Sequence, residues 1–191
     1  MLNVKIRKLH EAAQIPAYAT EGAAAFDLVA VSDAIIAPGE TVKIPLGLAF
    51  EIPAGYVMIV AMRSGIALKT KLRQPNGVGV IDSDYRGEVA MMFDNITPID
   101  YELDSDFDYE TGAYTDYKLR ESAPFAVTID GKECFSCGAS GAVVIRAGDR
   151  VCQAFIQPLP RVAFVESAEL SETERGAGGF GHSGVRTEVG V

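Results

Sequence analysis

The sequence predicts an all-β fold, a barrel or a sandwich. The chain is a succession of short runs rich in β-branched residues, each ended by Gly or Pro. Only one stretch, Ser64 to Lys69, looks locally helical. No apolar run approaches the ~18–20 residues that a membrane span needs. Regularly spaced strands with turn signals between them point to a closed or doubled sheet.

The elements follow in order. Residues 2–6 open the chain as a strand. The turn Ala37-Pro38-Gly39 introduces strands at 41–44 and 47–51, and Pro53-Ala54-Gly55 introduces one at 56–61. Strands at 78–81 and 88–93 flank a polar turn, and strands at 143–146 and 151–156 close the set. Residues 95–142 begin acidic and Tyr-rich, then offer a hairpin from Phe125 to Ile129, the turn Asp130-Gly131, and Lys132 to Phe135. A hairpin loop needs only ~2–5 residues, so this stretch reads as an insertion. After Glu174 the chain is dense in Gly, without a strand or helix pattern, and reads as a flexible arm. The expected division is a catalytic β-barrel over 1–94 and 143–174, an insertion over 95–142, and an arm and tail over 175–191.

A net charge of −9 on 191 residues argues against binding long nucleic acid, which needs a basic face. A nucleotide needs only a few placed Arg residues, backbone N–H groups and a metal ion, and much of the acidity lies between Asp100 and Asp116. The start, Met1 to Lys5, is followed by no apolar block, so a cytoplasmic protein is expected. Cys134, Cys137 and Cys152 are too few for a secreted disulfide framework. With only His10 and His182 in the chain, ordinary thiols are expected in preference to a zinc site.

Three stretches carry chemistry. In Asn76-Gly77-Val78-Gly79-Val80-Ile81-Asp82-Ser83-Asp84-Tyr85-Arg86-Gly87-Glu88-Val89, an apolar strand delivers two carboxylates and a phenol to a hairpin, where a ligand can reach them. Asp82 and Asp84 are also ordinary turn formers. Arg63-Ser64-Gly65 ends an apolar run with a cation, a hydroxyl and open backbone amides, the groups a phosphate chain requires, or those of a plain surface turn. The stretch Glu174 to Gly184 sets Arg175 and Phe180 among closely spaced glycines. These let amides approach phosphates while a ring stacks on a base.

Together these stretches resemble the trimeric dUTP pyrophosphatase (dUTPase) family, whose five ordered motifs all have counterparts. They are Ala24-Ala25-Phe26-Asp27-Leu28, Arg63-Ser64-Gly65-Ile66-Ala67, the Gly79 to Val89 hairpin with Asn76, Gly148-Asp149-Arg150-Val151-Cys152-Gln153, and the Arg175 to Gly184 arm. The resemblance covers about residues 1–94 and 143–184. It implies a jelly-roll-like β-barrel and a Mg²⁺-dependent homotrimer that hydrolyses dUTP to dUMP and pyrophosphate, removing dUTP and supplying dUMP for thymidylate synthesis. Each active site would draw motifs one, two and four from one subunit, the hairpin from a second and the arm from a third.

Carried over by position, Asp82 orients and deprotonates the attacking water, and Asn76 with the hairpin backbone from Gly79 binds uracil. Tyr85 packs against the deoxyribose. Arg63, Ser64, Gly65 and Gln153 hold phosphates. Asp27 stands in the outer shell of Mg²⁺, Arg175 and Ser183 grip the γ-phosphate, and Phe180 covers the uracil. Departures are Ala25 and Phe26 for the usual Gly and Tyr, and His182 for a small hydroxyl residue, which would weaken nucleotide binding at high pH. Asp149 and Arg150 are expected at the subunit interface, and Cys152 in the core. The family pattern leaves 95–142 unexplained, and its mixed acidic and aromatic residues suit a protein-docking element. The nearest enzyme rival, the trimeric dCTP deaminase, is similar in fold and in its Arg-Ser motif but differs at the hairpin. A nucleotide-gated binding protein is the reading from another class.

Overall fold

The computed structural model describes residues 2–98, 100–108, 113–122, 125–135 and 140–179, with backbone only for 100–108 and 113–122. Among the described residues regular structure ends at Pro158, and the chain divides into one unit up to Pro160 and a second from Arg161. Among the described residues no helix is long and apolar enough to cross a membrane.

In the first unit, β1 (Lys5–Lys8), β4 (Thr41–Glu51), β8 (Val89–Asn95) and β6 (Leu72–Arg73) form one sheet in that order. A second holds β2 (Phe26–Val29), β13 (Arg150–Pro158), β5 (Tyr56–Met62) and β7 (Gly79–Ile81). A third holds β11 (Val127–Thr128), β12 (Val143–Ile145) and β3 (Ala34–Ile36). Side chains alternate across each strand, so one face of each sheet meets a shared core. That core includes Leu28, Ile36, Ile44, Leu46, Met58, Met91, Phe93 and Ile145, all sealed from solvent. The single helix among the described residues, α1 (Ser64–Lys69), lies where the sequence places it, and Arg73 caps its end by donating to the Ala67 and Thr70 carbonyls.

Three departures from the expected elements have physical causes. The strands expected at 41–44 and 47–51 are one strand, because Pro45 and Gly47 make a bulge rather than a turn. The register against β8 shifts between Pro45 and Leu48, and Gly47 takes φ 65°. A side chain at Gly47 would meet Val31, Ala13 and His10 at 2.8–2.9 Å, so the bulge also needs glycine for space. Strands β2 and β3 were not expected. They are too short to show a period, although Phe26 and Leu28 alternate into the core around half-buried Asp27.

The third departure concerns 95–142. The Asp130-Gly131 turn forms as expected: Gly131 donates to Thr128, and Val127 bridges Glu133. Yet Val127–Thr128 also pairs in parallel with Val143–Val144, and Ala126 is buried, so this part belongs to the body of the fold. The long hairpin lies earlier, in β9 (Asp100–Asp108) and β10 (Ala113–Ser122). Buried Asn95 ties its neck, donating to the Ile36 and Gly141 carbonyls at 2.8 and 2.9 Å and accepting from Thr97. Exit and return of the segment are therefore pinned to one side chain whose hydrogen bonds are satisfied.

Candidate functional site

The site is built on the β2–β13–β5 face. Asp27 and Gln153 are register partners across β2 and β13, and Gln153 faces Ala61 across β13 and β5. This rung brings motifs one, two and four together. Arg63, just past β5, sets its Nε 3.0 Å from Asp27 Oδ1, and its Nη1 donates to the Arg150 carbonyl. Arg150 donates from Nη1 to Asp27 Oδ2 at 3.1 Å, and Gln153 donates to the Met62 carbonyl at 3.2 Å.

Asp27 is 24% exposed and orients two guanidiniums, so the cluster carries one net positive charge. Each Arg has five N–H donors, and those not turned to protein can take an anion. Motif residue Arg150, expected at the subunit interface, was not read as part of this cluster. Its position four places before Ala154 on β13 gave no signal without knowing that β2 is its neighbour.

Ser64 and Gly65 form the exposed first turn of α1, whose leading amides have no partner within the helix. Nothing lies within 4 Å of a side chain at Gly65, so ligand atoms can approach the backbone. Beneath the cluster, burial pushes the Cys152 thiol up to about 12, with the Asp27 charge adding to the effect. It is an inert core thiol, as expected. Cys134, by contrast, is disulfide-bonded, which corrects the expectation of a free thiol there. Cys137 lies outside the described residues.

The hairpin is a separate structure. Asn76 is exposed in a turn made by Gly77 at φ 69°, and Gly79 packs against Val60, where a side chain would come within 3.2 Å. Asp82 and Tyr85 close a tight turn through Tyr85 N–H to the Asp82 carbonyl. The Asp82 side chain is exposed, and no other group of the described residues fixes it. Tyr85 folds its ring back and donates to the Glu88 carbonyl at 3.0 Å, while remaining 44% exposed.

The two halves lie at opposite ends of β5. Ile81 pairs with Met58, so Asp82 falls beside Val57, whereas Arg63 is past the other end of the strand. At about 3.3 Å per residue, their backbones are roughly 20 Å apart, beyond what the two side chains can bridge.

In the second unit, Thr173 to Gly178 forms two overlapping turns. Gly176 N–H donates to Thr173, Gly178 N–H to Arg175, and Arg175 Nε to the Gly178 carbonyl at 2.8 Å. Phe180, His182 and Ser183 lie outside the described residues. No group of three or more His, Cys, Asp or Glu side chains that could cage a metal occurs among the described residues.

The dUTPase family model matches residues 11–108. The chain is 37% identical to the deoxyuridine 5'-triphosphate nucleotidohydrolase of Nautilia profundicola over 96% of its own length and 99% of that protein's. It is 31% identical to the same-named protein of Helicobacter pylori strain J99, over 96% and 98%. Staphylococcus bacteriophage 80alpha dUTPase, solved with dUPNHPP, superposes with a TM-score of 0.79 at 26% identity, over 97% of this chain and 100% of that one. On the strand order, the motif cluster and these alignments, the chain belongs to the dUTPase family.

Proposed function

We propose that the protein hydrolyses dUTP to dUMP and pyrophosphate in the cytoplasm, as a homotrimer with shared active sites. The observation that carries this reading is the separation of Asp82 from the Arg63 cluster. Water and phosphate must meet at near-contact distance for hydrolysis. One chain holds the base and the phosphate-binding cluster roughly 20 Å apart, and a neighbouring copy supplies the missing half. Closed cyclic assembly makes each interface equivalent, which suits three identical sites.

In this mechanism the exposed Asp82 carboxylate holds a water in line with the α-phosphorus and takes its proton. Arg63, the Ser64 hydroxyl and the first amides of α1 hold the phosphate chain, and Gln153 adds an amide donor. Asn76 and the backbone from Gly79 read uracil, and a site built for its donors and acceptors refuses cytosine. Tyr85 presents its ring to the sugar. Arg175 leaves the Gly178 carbonyl for the γ-phosphate as the arm closes, with Ser183 beside it and Phe180 over the base.

Both Asp27 oxygens already accept from guanidiniums, and among the described residues no carboxylate cage surrounds it. That donor set fits an outer-sphere role, in which Asp27 and Gln153 would contact the water shell of a Mg²⁺ ion. When bound, the ion supplies charge neutralisation on the phosphates, and Mg²⁺ favours phosphate and water ligands. Pyrophosphate release from dUTP by wild type, and its loss in Asp82→Asn, tests the assignment; ammonia from dCTP would mark a deaminase instead.

A second role, protein docking, rests on the β9–β10 register. It opposes Leu103 to Leu119 and Phe107 to Tyr114, positions that share a face with Tyr101. The alternate positions oppose Glu102 to Arg120 and Asp104 to Lys118. A two-stranded hairpin is marginal alone, and a partner surface over the Leu103–Leu119 and Phe107–Tyr114 positions would complete it. Deleting residues 100–122 and finding every protein interaction unchanged would remove this role.

A further inference from the structure

We infer that Gly87 and Glu88 are positioning residues that set how strongly ribonucleotides are refused, acting through the Tyr85 ring. The inference rests on the proposal that Tyr85 faces the deoxyribose, and it explains what holds that ring in place.

The Tyr85 ring lies in the space a side chain at position 87 would fill. A Cβ there would stand 2.6 Å from Tyr85 Cζ and 2.9 Å from Cε2, and would overlap the hydroxyl. Gly87 is not among the glycines with positive φ, so its backbone conformation is open to any residue. Glycine is required there for space alone, and the space is the ring's.

The ring is also tethered, by the hydroxyl donating to the Glu88 carbonyl. Glu88 is fixed in turn, because its Oε1 accepts from Gly47 N–H at 2.8 Å. Gly47 sits in the β4 bulge, where an added side chain would come within 2.8–2.9 Å of Val31, Ala13 and His10. The ring therefore rests on a chain of contacts that ends in the core, and its outer face stays open to a ligand.

A wall that cannot retreat penalises one extra oxygen; a wall that yields does not. Alanine at 87 lifts the ring and breaks the tether. Truncating Glu88 releases the tether's anchor, while Gln at 88 keeps an oxygen for Gly47 N–H.

The test is the ratio of kcat/KM for dUTP to that for UTP, with trimer content checked for each variant. We expect Gly87→Ala and Glu88→Ala each to lower the ratio about tenfold or more, and Glu88→Gln to keep it. Tyr85→Phe, which removes the tether without crowding the ring, should lower it about three- to tenfold, and it decides the matter if Gly87→Ala does not fold. A wild type that turns over UTP as well as dUTP would refute the Tyr85 assignment itself. A selective wild type whose Gly87→Ala, Glu88→Ala and Tyr85→Phe variants stay equally selective would overturn the inference and leave that assignment standing.

Discussion

The Arg63 cluster and the Asp82 hairpin treat their charges in opposite ways. Around Arg63, every charge has a partner: Asp27 holds two guanidiniums, and Arg63 and Gln153 both donate to main-chain carbonyls. At the hairpin, Asp82 is exposed while the backbone around it is fixed by Tyr85, Glu88 and Gly47. One region is complete within a chain and contributes to its stability. The other is a rigid mount for an exposed carboxylate, which on the proposed function works in a neighbouring copy's site.

This contrast sets an order of effects. Asp82→Asn should lower kcat by about 10²–10⁴ while shifting stability by less than about 0.5 kcal/mol, since the carboxylate supports nothing in the fold. Parallel kinetics and urea titration check both halves. Arg63→Ala should lower kcat/KM by about 10- to 100-fold, the worth of charge-assisted hydrogen bonds to phosphate, and should also cost about 1 kcal/mol by leaving Asp27 short of a partner. A large stability loss in Asp82→Asn, or none in Arg63→Ala, would erase the contrast.

Gly47→Ala sharpens it from the hairpin side. The positive φ and the three close neighbours together should cost about 2–4 kcal/mol of unfolding free energy, measured by urea titration. Smaller still is the acid sensitivity of the turn after β12. The Ala147 N–H and then Arg146 hold the Asp33 carboxyl below its usual value of 3.8. Its contribution is present above that value and lost as pH falls through the depressed one. Asp33→Ala should therefore be less stable than wild type at pH 7, and the gap should close as pH falls below 3.8 and through the depressed value. A gap that persists in acid would show that the carboxylate charge is not what holds the turn.

Much of this was legible in the residues. The helix at Ser64 to Lys69 and most strands followed from Gly and Pro punctuation, and the motif order carried the site. The bulge in β4 was not legible, because Pro45 and Gly47 carry the same signals in a turn and in a bulge. Strand β2 was missed because four residues show no period until β13 lies beside them. Arg150 escaped notice for the same reason: its partner Asp27 is 123 positions away in sequence. The β9–β10 pairing was hidden by acidic residues that disfavour strands singly, of which Glu102 and Asp104 are set opposite Arg120 and Lys118 only once the register is known.

Mixing two inactive chains tests the shared site most directly. Asp82→Asn and Arg63→Ala subunits, dissociated and reassembled at equal ratio, should regain about one quarter of wild-type sites, since each mixed trimer contains one intact pairing of Arg63 from one chain with Asp82 from the next. Activity that stays at the level of the separate variants, in trimers shown to contain both chains, would contradict the account.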